Sequence, residues 1–300
     1  MEESESYEYL TKKNNKDKII SIYNNDLKYK SHNDIDLTKI KNYKNKIDYD
    51  SMEYRFIECE KSNYKYLDLS HLGLNTLPKI PKIIKENVKF LFLSENKIEH
   101  MDDLNEFKKL LVLDICNNKL NKLPLLPEFI EELLINENKI KDIDQLSKYD
   151  YLKRLDCSNN EIETIPIIDS LELLVCNNNE LNQIILLKNL IKLYCSDNKI
   201  SEIDHLPLIE IIECNNNKIN MLNDLKNLKE LYCIKNNLEE LKNLDKLEIL
   251  HCPKNNLRKF EYFYNLKELI CDDADECKIS RLYNIEDVYS LDNMRIFYFK

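Results

Sequence analysis

Glycine and tryptophan are almost missing from this chain of 300 residues, in which Gly73 is the only glycine and no tryptophan occurs. A loop that cradles a phosphate through its backbone amides needs several closely spaced glycines, so nucleotide-binding loops of that kind are excluded. No pair of cysteines is separated by two residues, as many zinc sites require. We therefore predict a protein that is not an enzyme, with no catalytic residue, no cofactor and no metal.

A basic surface and a membrane segment are also missing. The chain has 44 basic and 54 acidic residues, a net charge of −10, and residues 64–300 contribute −9 of it with 32 basic and 41 acidic residues. A surface with this negative charge repels phosphate backbones, so we do not expect nucleic acid as a partner. Apolar stretches such as Ile184–Leu187 are far shorter than the roughly 20 residues that cross a bilayer. We predict no membrane partner.

The first residues, Met1–Glu5, have neither the basic nor the apolar part of a secretory signal. Ten cysteines without an export signal indicate reduced thiols, and we expect a cytoplasmic protein. The abundance of Asn, Lys, Ile and Tyr suggests a low-GC coding sequence, as in some parasites, amoebae or their large viruses. If the source is a parasite or virus, the host cytoplasm is the expected location.

Seven cysteines recur at every nineteenth position, and a leucine or isoleucine stands at the second position before each of them. An internal period of this kind predicts one short structural unit stacked many times. These cysteines form what we call the cysteine ladder: Cys157, Cys176, Cys195, Cys214, Cys233, Cys252 and Cys271.

The unit can be written L-x-x-L-x-[LIC]-x-x-N-x-[LI], and we call each copy a coil. The first four intervals between coils are longer and unequal, whereas the six that follow are identical at nineteen positions. The coils begin at Tyr64, Val88, Leu110, Ile130, Leu152, Leu171, Leu190, Ile209, Leu228, Leu247 and Leu266.

This pattern resembles the leucine-rich repeat family over residues 64–276. The resemblance implies an α/β-type repeat solenoid, a right-handed coil with a parallel sheet on its concave face. The spacing supports the same picture, since strands repeated at so short a period pair only in parallel. The short return segment leaves little room for a full helix, so we expect a convex side that is mostly extended or 3₁₀. The coils that carry Pro78 and Pro124 resemble repeats of secreted bacterial effectors, whereas Ile98–Leu110 resembles phosphatase-regulator or invasion-protein repeats. The sequence does not decide between these two groups of repeats.

Three parts of the chain are expected. Residues 1–63 form a polar segment and cap, in which Met52–Glu60 is predicted to pair with the first strand. Residues 64–276 hold about eleven repeats. Residues 277–300 are a degenerate last repeat and cap, with Val288 in phase and the aromatic tail Phe297–Phe299 covering the core end.

A second ladder consists of asparagines, one in each of nine coils. A buried Asn amide offers donors and an acceptor, so we predict that it bonds the backbone of the turns above and below it. The alternative is a ligand-binding row on the surface. These residues are Asn96, Asn118, Asn138, Asn160, Asn179, Asn198, Asn217, Asn236 and Asn255.

For the cysteine ladder we favour packing, with Cys as a small hydrophobic residue in a tight coil. Disulfides between coils are disfavoured because parallel Cβ vectors keep the Cβ atoms too far apart. Zinc is disfavoured because a straight row of thiols cannot converge on one ion. Cys116 falls one position later in its coil than the ladder cysteines do, and it is the better candidate for a reactive thiol. Cys59 and Cys277 lie outside the ladder and stay unassigned.

The residues that alternate with the core positions of each strand set the concave face. Many are apolar or aromatic, which favours a contact surface for a protein partner. The simpler explanation is that such residues form good strands. The predicted partner-binding residues are Phe90, Phe92, Val112, Leu134, Leu173, Val175, Tyr194, Ile211, Tyr232 and Ile249.

The predicted function is protein–protein interaction through this face. The alternative is an adaptor or an enzyme-regulatory subunit that acts through residues 1–63. Among the histidines, His251 lies on the concave face with Glu213 two coils away, at roughly 10 Å by strand spacing, too far for a hydrogen bond. Self-association through the edge strands stays open.

Overall fold

The computed structural model describes residues 51–222, 225–257, 259–260, 263–271 and 287–290, all within the unit formed by residues 49–300. One parallel sheet of 12 strands follows the order of the chain, with neighbouring strands from successive coils. Its strands are β1 (Tyr66–Asp68), β2 (Phe90–Phe92), β3 (Val112–Asp114), β4 (Glu132–Leu134), β5 (Arg154–Asp156), β6 (Leu173–Val175), β8 (Lys192–Tyr194), β10 (Ile211–Glu213), β11 (Glu230–Tyr232), β13 (Ile249–His251), β15 (Glu268–Cys271) and β16 (Asp287–Ser290). The predicted leucine-rich-repeat coil is confirmed.

The middle residue of each three-residue strand in this sheet points into the core. Leu67 pairs in register with Leu91, Leu91 with Leu113, and the same register continues along the sheet. These leucines are 0% exposed. Burying a leucine side chain contributes roughly 1.5–3 kcal/mol, so one column of leucines holds the stacked coils together.

The convex side changes along the chain. The first, longer coils carry the short helix α2 (Lys82–Asn87) after Pro81 and the 3₁₀ helix η1 (Asp144–Lys148). The shorter coils that follow instead form two small parallel sheets, β7 (Gln183–Ile185) with β9 (Glu202–Asp204) and β12 (Glu240–Leu241) with β14 (Lys259–Phe260). An extended convex segment spans the same height with fewer residues than a helical one, since a strand rises more per residue.

Each ladder asparagine bonds the backbone of its own coil and of the coil before it, whereas the prediction was the turns above and below it. The Nδ2 of Asn118 donates to the carbonyls of Leu93 at 2.9 Å and Ile115 at 3.2 Å, and its Oδ1 accepts from the amide of Ile98 at 3.0 Å. These bonds satisfy backbone groups that the turn would otherwise bury without a partner. The ladder is therefore structural.

The turn before each ladder asparagine uses a left-handed backbone without glycine. Asn117, Asn159 and Asn178 have φ of 49–54°. Asn and Asp adopt this region more readily than other side chains, so a chain with one glycine can still form the turn before each ladder asparagine. The remaining coils place Glu, Asp, Asn or Lys at the same position: Glu95, Glu137, Asp197, Asn216, Lys235 and Lys254.

The two ends of the sheet differ from the repeats. The segment predicted as a strand-pairing cap is a helix, α1 (Met52–Lys61), because its sequence has no two-residue alternation. It contacts β1 through Arg55, whose Nη1 lies 2.9 Å from Asp68 Oδ2, rather than by strand pairing. At the other end β16 pairs with β15 and places Val288 opposite Leu269, as the period predicted. The tail Phe297–Phe299 lies outside the described residues.

Candidate interaction surface on the concave face

From β1 to β15 of the large sheet, the first and third residues of each strand face away from the core, and together they form the concave face. Of the ten predicted contact residues, six are half-buried and can still meet a partner. They are Phe90, Phe92, Leu134, Ile211, Tyr232 and Ile249.

The other four predicted contact residues are buried and offer little surface: Val112, Leu173, Val175 and Tyr194 are 9%, 7%, 2% and 3% exposed. Three of them lie side by side, because Leu173 and Val175 share one strand and Val175 is in register with Tyr194. On a sheet with strands about 4.8 Å apart, bulky neighbours cover one another. The sequence pattern places these side chains on the face and does not show this mutual covering.

Phe90 and Phe92 mark the N-terminal end of the face. Both lie on β2, with Tyr66 opposite Phe90 on one side and Val112 on the other. The Nζ of Lys65 lies 5.9 Å from the centre of the Phe90 ring, within cation–π range. The two rings therefore form an apolar patch with a cation at its border.

Three aspartates occupy the third strand position in the N-terminal half of the sheet and close the following turn. Oδ1 of Asp68, Asp114 and Asp156 accepts from the amide two residues further on, at 2.9–3.0 Å. Burial raises the pKa of Asp156 to about 6. These carboxylates are structural parts of the turn, although they also give the face negative charge.

Three of the short coils beyond Asp156 close the same turn differently. The amide of Ser196 donates to Oδ1 of Asn177 at 2.7 Å, that of Asn215 to Oγ of Ser196 at 3.0 Å, and that of Ile234 to Oδ1 of Asn215 at 2.8 Å. The side chain of one coil thus accepts from the backbone of the next. As a result, these turn amides do not depend on a carboxylate on the face.

A group of polar and aromatic side chains occupies the C-terminal half of the face, and we call Glu213, Glu230, Tyr232, His251 and Glu268 the Tyr232 cluster. The hydroxyl of Tyr232 donates to Glu230 Oε2 at 2.9 Å, and His251 Nε2 lies 2.6 Å from Glu268 Oε1. The Tyr232 and His251 rings meet edge-on with centres 4.8 Å apart. The cluster is therefore held in place by its own contacts.

The chemistry of the Tyr232 cluster is acidic. Burial, Glu230, Glu268 and Glu213 raise the pKa of Tyr232, so its phenol stays protonated and acts as a donor. Sequence reasoning compared His251 with Glu213 and missed Glu268. His251 stands third in β13 and Glu268 first in β15, so the pair is diagonal across adjacent strands, within reach of long side chains.

The ladder cysteines lie in the core and fit the packing prediction. The seven are 0–2% exposed, and Cys157, Cys176, Cys195, Cys214 and Cys233 are free thiols. Burial raises the pKa of Cys157, Cys176, Cys214 and Cys233 well above the ordinary range, which removes the reactive thiolate. Cys116 is half-buried, and burial together with Asp114 raises its pKa as well, which weakens the prediction of a reactive thiol.

Within the described part of the chain, no group of three or more His, Cys, Asp or Glu side chains is arranged to hold a metal ion. No helix in the same part is long and apolar enough to cross a lipid bilayer.

Comparison with known proteins gives the fold. No protein-family model and no curated protein matches the sequence. Among solved structures, a chain of the octameric complex of Latrophilin 3, Unc5D and the LRR protein FLRT2 matches with a TM-score of 0.55 and 22% identity, over 69% of this chain and 81% of that chain. An LRR protein of Leptospira interrogans matches with a TM-score of 0.54 and 19% identity, over 78% and 80%. The plant peptide hormone receptor RGFR1, solved in complex with RGF2, matches with a TM-score of 0.53 and 20% identity, over 75% of this chain and 47% of that chain.

Proposed function

We propose that this leucine-rich-repeat solenoid is a protein-binding module that holds its partner on the concave face without covalent chemistry. Two of the matching structures are complexes, one with Latrophilin 3 and Unc5D and one of a receptor with RGF2. One face of the parallel sheet packs in the core, and its other face presents side chains from successive strands to a partner. This face supports a binding role better than a catalytic one.

The observation that carries the proposal is the pair of half-buried rings on β2. Strand propensity alone accounts for one aromatic residue on a sheet, but Phe90 and Phe92 are neighbours on the same side of one strand. Aromatic side chains that keep part of their surface in water, with charged groups at the border, are typical anchors of protein interfaces. Lys65 and Arg55 supply that charged border next to β1 and β2.

The test is affinity capture of partners from a lysate of the native cells, using the full chain and the double variant Phe90→Ser, Phe92→Ser. The matched control is Phe129→Ser, Tyr151→Ser, an aromatic pair with ring centres 5.3 Å apart that is about half exposed and lies outside the concave face. Tyr194 is left unchanged because it is buried, and its replacement would disturb the fold.

We expect one partner to be captured by the wild type and by the control, and to be lost with the Phe90 and Phe92 variant. Equal circular dichroism spectra of the three proteins show that the variants fold. Capture that survives the concave variant contradicts the proposal. Deletion of residues 1–50 then tests the adaptor alternative for the N-terminal segment, which stays a prediction, as does the cytoplasmic location.

A further inference from the structure

Charge is distributed unevenly between two neighbouring rows of the sheet. The concave face, taken over the strands of the large sheet from β1 to β15, carries seven carboxylates and two cationic groups, a balance of −5. Arg154 lies 3.4 Å from Glu132, and Arg55 of helix α1 lies 2.9 Å from Asp68, so two of the seven carboxylates face a guanidinium. The carboxylates are Asp68, Asp114, Glu132, Asp156, Glu213, Glu230 and Glu268, and the cations are Arg154 and Lys192.

The residues immediately before each strand of this sheet form what we call the strand-entry row, and in three places this row contains charges of opposite sign on neighbouring coils. Acidic and basic side chains from neighbouring coils pair across the sheet. The distances are 4.0 Å for Glu131–Lys153, 2.9 Å for Glu210–Lys229 and 2.6 Å for Glu248–Lys267. The same repeat therefore pairs charges of opposite sign in one row and collects charges of one sign in the next.

The carboxylates of the C-terminal half are held differently from those of the N-terminal half. Asp68, Asp114 and Asp156 accept turn amides, whereas Asn177, Ser196 and Asn215 accept the turn amides of three later coils. Glu230 instead accepts from the hydroxyl of Tyr232, and Glu268 bonds the ring of His251. These bonds orient the two carboxylates on the face.

The register gives the geometry of this region. Glu230, Ile249 and Glu268 are neighbours across β11, β13 and β15, so two carboxylates stand on either side of an isoleucine, about 9.6 Å apart by strand spacing. Tyr232 and His251 form the adjoining pair of rings in the next row. A long cationic side chain matches this surface, because its stem can lie on Ile249 while its head meets a carboxylate and the face of an aromatic ring.

We propose that the Tyr232 cluster binds an arginine or lysine side chain on a basic segment of the protein partner. This inference rests on the proposed function and adds the chemistry of the partner. Carboxylates that are partly desolvated on a sheet attract a cation more strongly than exposed ones, since the surrounding dielectric is lower. The partner segment is basic because the whole concave face, and not the cluster alone, has a negative balance.

The test measures fluorescence anisotropy of a labelled hexa-arginine peptide titrated with the full chain, and of hexa-citrulline as a neutral peptide of the same shape. The variant is Glu230→Gln, Glu268→Gln, which keeps acceptors for Tyr232 and His251. The matched control is Glu210→Gln, Glu248→Gln, which changes the net charge equally but alters the strand-entry row.

We expect hexa-arginine to bind and hexa-citrulline to bind at least tenfold more weakly. Glu230→Gln, Glu268→Gln should weaken binding about tenfold, which corresponds to about 1.4 kcal/mol, and the control less than twofold. Equal weakening by both double variants overturns the inference, because the attraction is then diffuse. Equal binding of the two peptides overturns it as well.

Failure of this inference can be separated from failure of the proposed function. If the partner captured from lysate is lost with Phe90→Ser, Phe92→Ser but retained with Glu230→Gln, Glu268→Gln, the concave face binds the partner without a basic side chain in the cluster. If the partner is retained with all variants, the concave face itself is the wrong surface.

Discussion

The coils before Leu152 and those from Leu152 onward fill the core behind the sheet with different side chains. The earlier coils are longer and place Leu69, Leu93, Ile115 or Ile135 at the second inward position of the strand, where the short coils place cysteine. The change in residue coincides with the change in length, and the convex side changes from α2 and η1 to short strands. We infer that a shorter coil brings the convex segment closer to the sheet and leaves space only for a smaller side chain.

The largest expected effect concerns the asparagine ladder, which is present in both regions. Asn118 in a long coil and Asn179 in a short coil are both buried and make the same set of bonds. Asn179 Nδ2 donates to the carbonyls of Cys157 and Cys176, and its Oδ1 accepts from the amide of Ile162. Replacing either with Ala leaves two or three buried backbone groups unsatisfied, so each should lower the free energy of unfolding by about 3 kcal/mol.

Urea denaturation followed by circular dichroism measures this loss, with Asn121→Ala at an exposed position as the control, where we expect less than about 0.5 kcal/mol. A much smaller loss for Asn118→Ala than for Asn179→Ala would show that the long coils do not depend on the ladder.

The second prediction tests whether a narrower core explains why the short coils have cysteine where the long coils have leucine or isoleucine. Cys195→Leu forces a larger side chain into a short coil and should lower the free energy of unfolding by about 2 kcal/mol, as overpacking does. Ile115→Leu, at the equivalent position of a long coil, conserves volume and should change it by less than about 1.5 kcal/mol. Denaturation midpoints of the two variants give the comparison. If Cys195→Leu is neutral, core width does not explain the cysteines.

The third prediction concerns Asp156, at the boundary between the regions. Its pKa is raised to about 6 from an ordinary value of 3.8, so the folded state favours the protonated form. Stability from this group is present below about pH 4 and is lost as pH rises through about 6. Asp156→Asn keeps the acceptor for the Ser158 amide and should raise the free energy of unfolding at pH 7 by about 2 kcal/mol.

The measurement is the pH dependence of the denaturation midpoint for wild type and variant, which should converge near pH 4. Asp114→Asn is the matched change at a half-buried carboxylate, where we expect a smaller gain. A variant that gains nothing at pH 7 would mean that Asp156 is better solvated than its position indicates.

Much of the fold could be predicted because the repeat fixes the register of the strands and which side chains point into the core. The position of Leu67, Leu91 and their equivalents in the core, the bonds of the asparagine ladder and the strand that contains Val288 all follow from the period. Helix α1 could not be predicted in this way, since Met52–Lys61 belongs to no repeat. The helix α2 after Pro81 belongs to a coil whose convex segment is longer than the others.

The candidate site was predicted less well than the fold. The sequence identifies which side chains face outward, but the burial of Tyr194 and Val175 depends on the sizes of the side chains on adjacent strands. The pairing of His251 with Glu268 depends on diagonal reach across the sheet. Both are properties of neighbouring coils taken together, which a pattern read one coil at a time does not contain.

The identical backbone bonding of successive short coils has a genetic consequence. The same amide–carbonyl contacts recur from coil to coil, as for Glu172, Glu210 and Glu248, whose carbonyls each accept from the strand that follows. An in-frame duplication or deletion of one coil's codons between those of Leu152 and Leu266 therefore joins coils whose bonding positions coincide. Unequal recombination can change the length of the solenoid by whole coils, each adding or removing about 4.8 Å of sheet, without loss of register.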